Sequence, residues 1–97
     1  MPAYLIVNYK VEDPDLYGEY AGAAGPVLGI GTRCKLLVFD RESDAVEGHP
    51  AHQTVMLEFE SKKEAREAYE SKAYQEIIGK RLDSTSEHFA ILVNGIG

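Results

Sequence analysis

The sequence predicts a single α+β domain of ferredoxin-like type: a βαββαβ chain forming a four-stranded antiparallel sheet with its helices on one face. Three observations carry that prediction. Short β-branched and aromatic runs alternate with amphipathic stretches in the order β, α, β, β, α, β. Both helical regions begin at recognisable capping signals. The 97 residues leave room for one core only, so the domain spans 1–97.

The first strand is Ala3–Val11, an apolar run rich in β-branched and aromatic residues. Asp13-Pro14 then supplies an N-cap and a first-turn proline. Leu16, Tyr20, Ala23 and Val27 fall on one face of the helix that follows. Gly25-Pro26 is expected to kink or split that helix, because Pro26 lacks a donor, and Gly29 and Gly31 to end it. A second strand is expected over Thr32–Phe39, an acidic turn over Asp40–Asp44, and a short additional strand at Ala45-Val46-Glu47. The third strand is Gln53–Glu60. Ser61-x-x-Glu64 reads as a capping box. Its helix carries Ala65, Ala68 and Tyr69 on the apolar side. A further helical piece from about Ala73 carries Tyr74, Ile77, Ile78 and Leu82. His88–Val93 forms the closing strand.

The strands are apolar on both faces. Leu5, Val7 and Tyr9 alternate with Tyr4 and Ile6. Val55, Leu57 and Phe59 alternate with Met56, and Phe89, Ile91 and Val93 with Ala90 and Leu92. An antiparallel sheet with helices on one side should show a polar second face. The apolar second face therefore needs a cover, and a copy of the same chain is the simplest one. A homodimer is expected. Association also suits a chain of this length, which by itself buries only about 60–65% of its unfolded surface.

Composition excludes several partners. Sixteen acidic against ten basic residues give a formal charge of −6, a field that repels phosphate backbones and anionic membrane surfaces. No nucleic acid and no membrane partner is expected. No apolar run approaches the roughly 20 residues of a membrane span, and the first residues lack the pattern of a signal peptide. A single cysteine, Cys34, forms no internal disulfide and fits a reducing, cytoplasmic setting.

The order of Met1-Pro2-Ala3-Tyr4, Asp13-Pro14-x-x-Tyr17-x-x-Tyr20, Glu47-Gly48, Glu58-Phe59-x-Ser61, Ala68-Tyr69-x-Ser71-x-x-Tyr74 and Arg81 resembles the bacterial domain-of-unknown-function family numbered 1330. The likeness covers almost the whole chain. It implies membership of the dimeric α+β-barrel superfamily, in which two ferredoxin-like sheets pack face to face. The family has no assigned reaction, so the resemblance implies a fold and a dimer. Where the family pattern has Gly-Gly-Arg before the second strand, this chain has Gly31-Thr32-Arg33.

Chemistry is sparsely encoded. Pro2 would become an N-terminal secondary amine if Met1 were removed, the base used by tautomerases; the plainer reading is a proline at a strand start. His49 and His52 flank Pro50 in a loop with no third ligand at a recognised spacing, so no metal is expected. Cys34 alternates with Leu36 and Val38 and reads as a buried thiol. Tyr17, Tyr20, Tyr69 and Tyr74 come from the helical regions, with Tyr9 facing them from the sheet. They are either core packing or a phenol-lined cleft for a small flat organic molecule, with Tyr20 and Tyr69 expected to approach one another. Arg81 would meet an anionic ligand or offset neighbouring acids.

One polar cluster is expected on the dimer-covered face. Alternation puts Asn8 with Tyr4 and Ile6, and Glu58 with Thr54 and Met56. With the first and third strands taken as parallel neighbours, as the resemblance implies, Asn8 and Glu58 would share one end. Arg33 would then pair with Glu58, either to fix association or as the polar end of a ligand site. The candidate ligand-binding residues are thus Asn8, Arg33, Glu58, Tyr20, Tyr69 and Arg81. No catalytic residue is assigned and no cofactor is expected. Two functions fit: binding or conversion, without cofactor, of a small aromatic or lactone-like molecule, and a non-catalytic dimeric binding or interaction module.

Overall fold

The computed structural model describes residues 1–96. The chain runs β1 (Ala3–Val11), α1 (Pro14–Leu28), β2 (Lys35–Asp40), β3 (Gln53–Phe59), α2 (Lys62–Glu70), α3 (Lys72–Ser84) and β4 (Thr85–Asn94). The strands hydrogen-bond in the order β2-β3-β1-β4, each antiparallel to its neighbour. This is the expected ferredoxin-like sheet, with all helices on one face. No described helix is long and apolar enough to cross a membrane.

Local signals place the helices. The Asp13 carboxylate accepts from the Leu16 N–H at 3.1 Å and so caps α1. Ser61 does the same for α2 through the Glu64 N–H, and Ser71 for α3 through the Tyr74 N–H. Ser71 thus separates two helices that would otherwise fuse. The inward side of α1 is Tyr17, Tyr20, Ala24 and Leu28: of the expected stripe Leu16, Tyr20, Ala23 and Val27, Tyr20 is inward and the others lie one step round from it. On α3 the inward residues are Tyr74, Arg81 and Ser84, while Leu82 is exposed.

The helix-facing side of the sheet contributes Leu5, Val7, Tyr9, Leu57 and Phe59 to the core. The other side aligns Ile6 with Met56 and Ile91, and Tyr4 with Glu58 and Val93. Among the described residues no helix or strand packs over this side. Opposite Tyr9, β4 carries two residues, since Asn8 pairs with Phe89 and Lys10 with Ser86. Glu87, at φ 52, absorbs this bulge.

Four expectations change. Pro26 does not split α1: it sits in the last turn, and Gly29 closes the helix with its N–H on the Gly25 and Pro26 carbonyls. Thr32 and Arg33 lie in a turn rather than a strand and Cys34 forms only an isolated bridge with Ile30, because the N–H groups of Thr32, Arg33 and Cys34 all converge on the Gly29 carbonyl. Ala45–Glu47 is not a strand but part of the exposed β2–β3 connection. The last strand begins at Thr85, directly after α3, instead of at His88.

Gly29 is fixed by its conformation, φ 78, and by space, since a Cβ there would lie 2.9 Å from the Arg33 Cβ. Gly29→Ala is expected to cost about 2 kcal/mol, lowering Tm by roughly 10 °C. Thermal unfolding followed by circular dichroism checks this, and an unchanged Tm would show that the turn relaxes freely.

Candidate functional site

Five side chains meet between the sheet and α1 and α3. Tyr9 from β1 shares a hydrogen bond with Tyr17 of α1, hydroxyl to hydroxyl, at 2.7 Å. Tyr20, one turn on, shares another with Tyr74 of α3 at 2.6 Å. Arg81 lies two turns from Tyr74 on the same face of α3. Its Nη1 donates to the Tyr74 hydroxyl at 3.4 Å, and its guanidinium stacks 5.7 Å above the Tyr9 ring. Tyr17 and Tyr20 touch at 5.8 Å between ring centres, so the phenols form one continuous group.

Burial sets the electrostatics. Desolvation pushes the Tyr9, Tyr17, Tyr20 and Tyr74 phenols above their ordinary range, and Arg81 only partly opposes it. They are neutral at physiological pH. Burial works against the Arg81 charge as well, but the surrounding phenol oxygens outweigh it and hold the guanidinium protonated. Arg81 is 4% exposed. Among the described residues no carboxylate lies within ion-pair distance of it, and its Nε–H has no acceptor. The position at the C-terminal end of α3 offsets part of this cost.

These residues form one end of a chamber of about 150 Å³. Its walls are apolar, with Ala21 and Ala24 of α1 supplying space over Val7 and Leu57. Leu36 and Phe39 of β2 line it too and are about half exposed, which sets its mouth at the β2 edge. Tyr20 and Arg81 belong to the chamber and Tyr69 does not. Tyr20 and Tyr69 do not meet; Tyr74 stands between them, 6.2 and 5.2 Å from their respective ring centres. Tyr69 borders instead a separate shallow cleft with Leu5, Arg66 and Leu92.

The polar cluster expected on the open face does not assemble. Because β1 and β3 are antiparallel, Asn8 stands opposite Thr54 and Glu58 opposite Tyr4, at opposite ends of the sheet. The Asn8 amide donates to the Ala51 carbonyl at 2.9 Å and to Thr54 Oγ1 at 3.0 Å, and its oxygen accepts from the Ala51 N–H at 2.7 Å. Both donors are used, one tying the β2–β3 connection to β1 and the other reaching Thr54 on β3. Glu58 pairs with Lys35 at 3.9 Å rather than with Arg33. The reason is the start of β2 at Lys35, which places that residue in register with Glu58. Arg33 borders the same open depression from the turn, its stem lying against Gly29.

The remaining candidates are occupied structurally. His52 accepts from the Val11 N–H through Nε2 and holds the Arg41 carbonyl through Nδ1. Neither nitrogen is open to a metal. Cys34 is buried, its thiol raised by desolvation and directed at the Leu28 carbonyl. The Pro2 carbonyl accepts from the Gly95 N–H at 2.7 Å, pinning the chain start beside the end of β4. Gln53 is a residue the sequence analysis overlooked: it is 1% exposed, opposite Tyr9, with its Nε2 unpartnered. Alternation with Val55 and Leu57 is the signal that puts it inward.

The family model described as "Domain of unknown function (DUF1330)" matches residues 2–96. No curated protein matches the sequence. Among solved structures, a protein of unknown function from Rhodopseudomonas palustris is similar at TM-score 0.76 and 16% identity, over 99% of this chain and 83% of that one. A dimeric ferredoxin-like protein of unknown function from Thermobifida fusca superposes at TM-score 0.67 and 11% identity, over 98% and 92%. SnoaB, a cofactor-independent oxygenase from Streptomyces nogalater, superposes at TM-score 0.66 and 11% identity, over 99% and 94%. At these identities the likeness is one of fold.

Proposed function

The chain belongs to the DUF1330 family, and we propose that it acts as a homodimer that binds a small, single-ring organic molecule in the chamber between α1, α3 and the sheet. The observation that carries this reading is the chamber itself. Protein interiors are packed to crystal density with few voids larger than a water molecule. A space of about 150 Å³ with apolar walls is therefore costly to leave, and a cavity of about that size is known to take up benzene. Here it also has a mouth, so a ligand can reach it without unfolding.

Homodimerisation is supported by the uncovered apolar face around Ile6, Met56 and Ile91, and by the dimeric state of the Thermobifida protein. Conversion of the ligand, as in the fold-related oxygenase, places a demand on the ligand rather than on the chain. The polar groups lining the chamber are phenols raised by burial and a permanently charged guanidinium. None of these can act as a base near neutral pH, so conversion would need a ligand that enters already ionised, its proton left to water. Binding is the activity these side chains support directly.

The test is a titration of the protein with toluene and with indole, read by thermal shift and by amide chemical shifts. Ligand at a hundred times its Kd should stabilise the fold by about 2.7 kcal/mol. Ala24→Leu, which fills the chamber, should abolish binding while the fold persists. Binding that survives Ala24→Leu, or no binding of any single-ring compound, sinks the proposal.

A further inference from the structure

The polar end of the chamber is rich in donors and poor in acceptors. Each hydroxyl pair, Tyr9 with Tyr17 and Tyr20 with Tyr74, has two protons and spends one on the bond inside the pair. One O–H of each pair is left over. The Arg81 Nε–H is a third donor without an acceptor. No side chain lining the chamber carries an acceptor other than the phenol oxygens. The guanidinium adds a positive charge that no described carboxylate compensates. A buried cation with an open donor is costly unless something anionic meets it.

Resting on the reading of the chamber as a ligand site, we infer that its ligand is a single-ring organic monoanion whose charged oxygen contacts Arg81 and the free hydroxyls while its ring occupies the apolar end. Shape and charge then agree. The apolar walls around Ala24 and Leu57 hold a ring, and the only charged group is at the opposite end, on Arg81. An amide or alcohol of the same size would leave the guanidinium uncompensated. A dianion would exceed the single charge available.

The experiment uses the intact protein and compares benzoate with benzamide, and both with toluene, by calorimetry at neutral pH. A charge-assisted hydrogen bond is worth ~1.5–3 kcal/mol, so benzoate is expected to bind about 10- to 100-fold more tightly than benzamide. The Arg81 Nε–H resonance should shift on adding benzoate and stay in place with toluene. Arg81→Met should erase the preference for benzoate and retain toluene binding. Should Arg81→Met not fold, the double variant Tyr20→Phe/Tyr74→Phe keeps both rings, removes the free hydroxyl of that pair and should weaken benzoate alone. Toluene binding without preference for benzoate overturns this inference and spares the chamber. Failure of all three ligands overturns both. A preference for benzoate that neither variant disturbs places the anion elsewhere and overturns the inference as well.

Discussion

Alkali is expected to unfold the domain in one steep transition beginning near pH 10, with tyrosinate absorbance rising as the native circular dichroism disappears. Tyr9, Tyr17, Tyr20 and Tyr74 all have folded-state pKa values raised above the ordinary phenol value, chiefly by desolvation. A raised pKa means that the folded chain holds its protons longer than the unfolded chain does. The stability linked to these groups is fully present below the unfolded value of about 10 and is lost as pH rises beyond it. Four phenols kept protonated in the fold and ionised in the unfolded chain give a slope of about −5 kcal/mol per pH unit. A typical domain has ~5–15 kcal/mol to lose. Tyr17→Phe removes one linked proton and should lower the slope by about 1.4 kcal/mol per pH unit. If all six tyrosines ionise while the dichroism stays native, the phenol cluster is not the closed unit described above.

How far the sequence foretold this arrangement depends on the kind of information each feature needs. β1 and the helix starts at Asp13 and Ser61 rest on local propensity and capping, and both are written in adjacent residues. The uncovered apolar face rests on alternation, which survives any error of topology. The turn before β2 does not show in propensity, because Thr32, Arg33 and Cys34 read as strand formers while their N–H groups all close back on one nearby carbonyl, that of Gly29. Alternation also reveals which face Asn8 and Glu58 occupy without revealing strand direction, and a reversed direction sends them to opposite ends.

Arg81 shows what the sequence did contain. It lies seven residues after Tyr74, on the same helical stripe, and that spacing points it inward. The apolar Leu82 draws attention one position too far, although Leu82 is the exposed residue of the two. A phenol-lined cleft between helices and sheet is one of two readings the tyrosines leave open, but its size is not legible. Its volume depends on how closely Ala21 and Ala24 bring α1 to the sheet, and this is decided by the packing of the whole layer.

In the proposed dimer, replacing Ile6 by aspartate is expected to give monomer at micromolar concentration while leaving the fold intact. Ile6 is central on the uncovered face, in register with Met56 on one side and Ile91 on the other. Phe89 and Ile91, on the same face, are each 47% exposed in the single chain. If that face is the dimer interface, it should bury upwards of about 1,200 Å² in total. A two-fold axis through such a sheet presents each substitution twice. An unpaired carboxylate in a dry interface costs about 2–3 kcal/mol per copy even after partial relaxation. Two copies therefore raise Kd by roughly 1,000-fold or more. The monomer should fold because the new charge faces water, so circular dichroism should change little. Glu58→Gln serves as the contrast: its partner Lys35 is largely exposed, and such a pair contributes about 0–1 kcal/mol. Sedimentation velocity decides the matter, and Ile6→Asp sedimenting as a dimer would move the association to another surface.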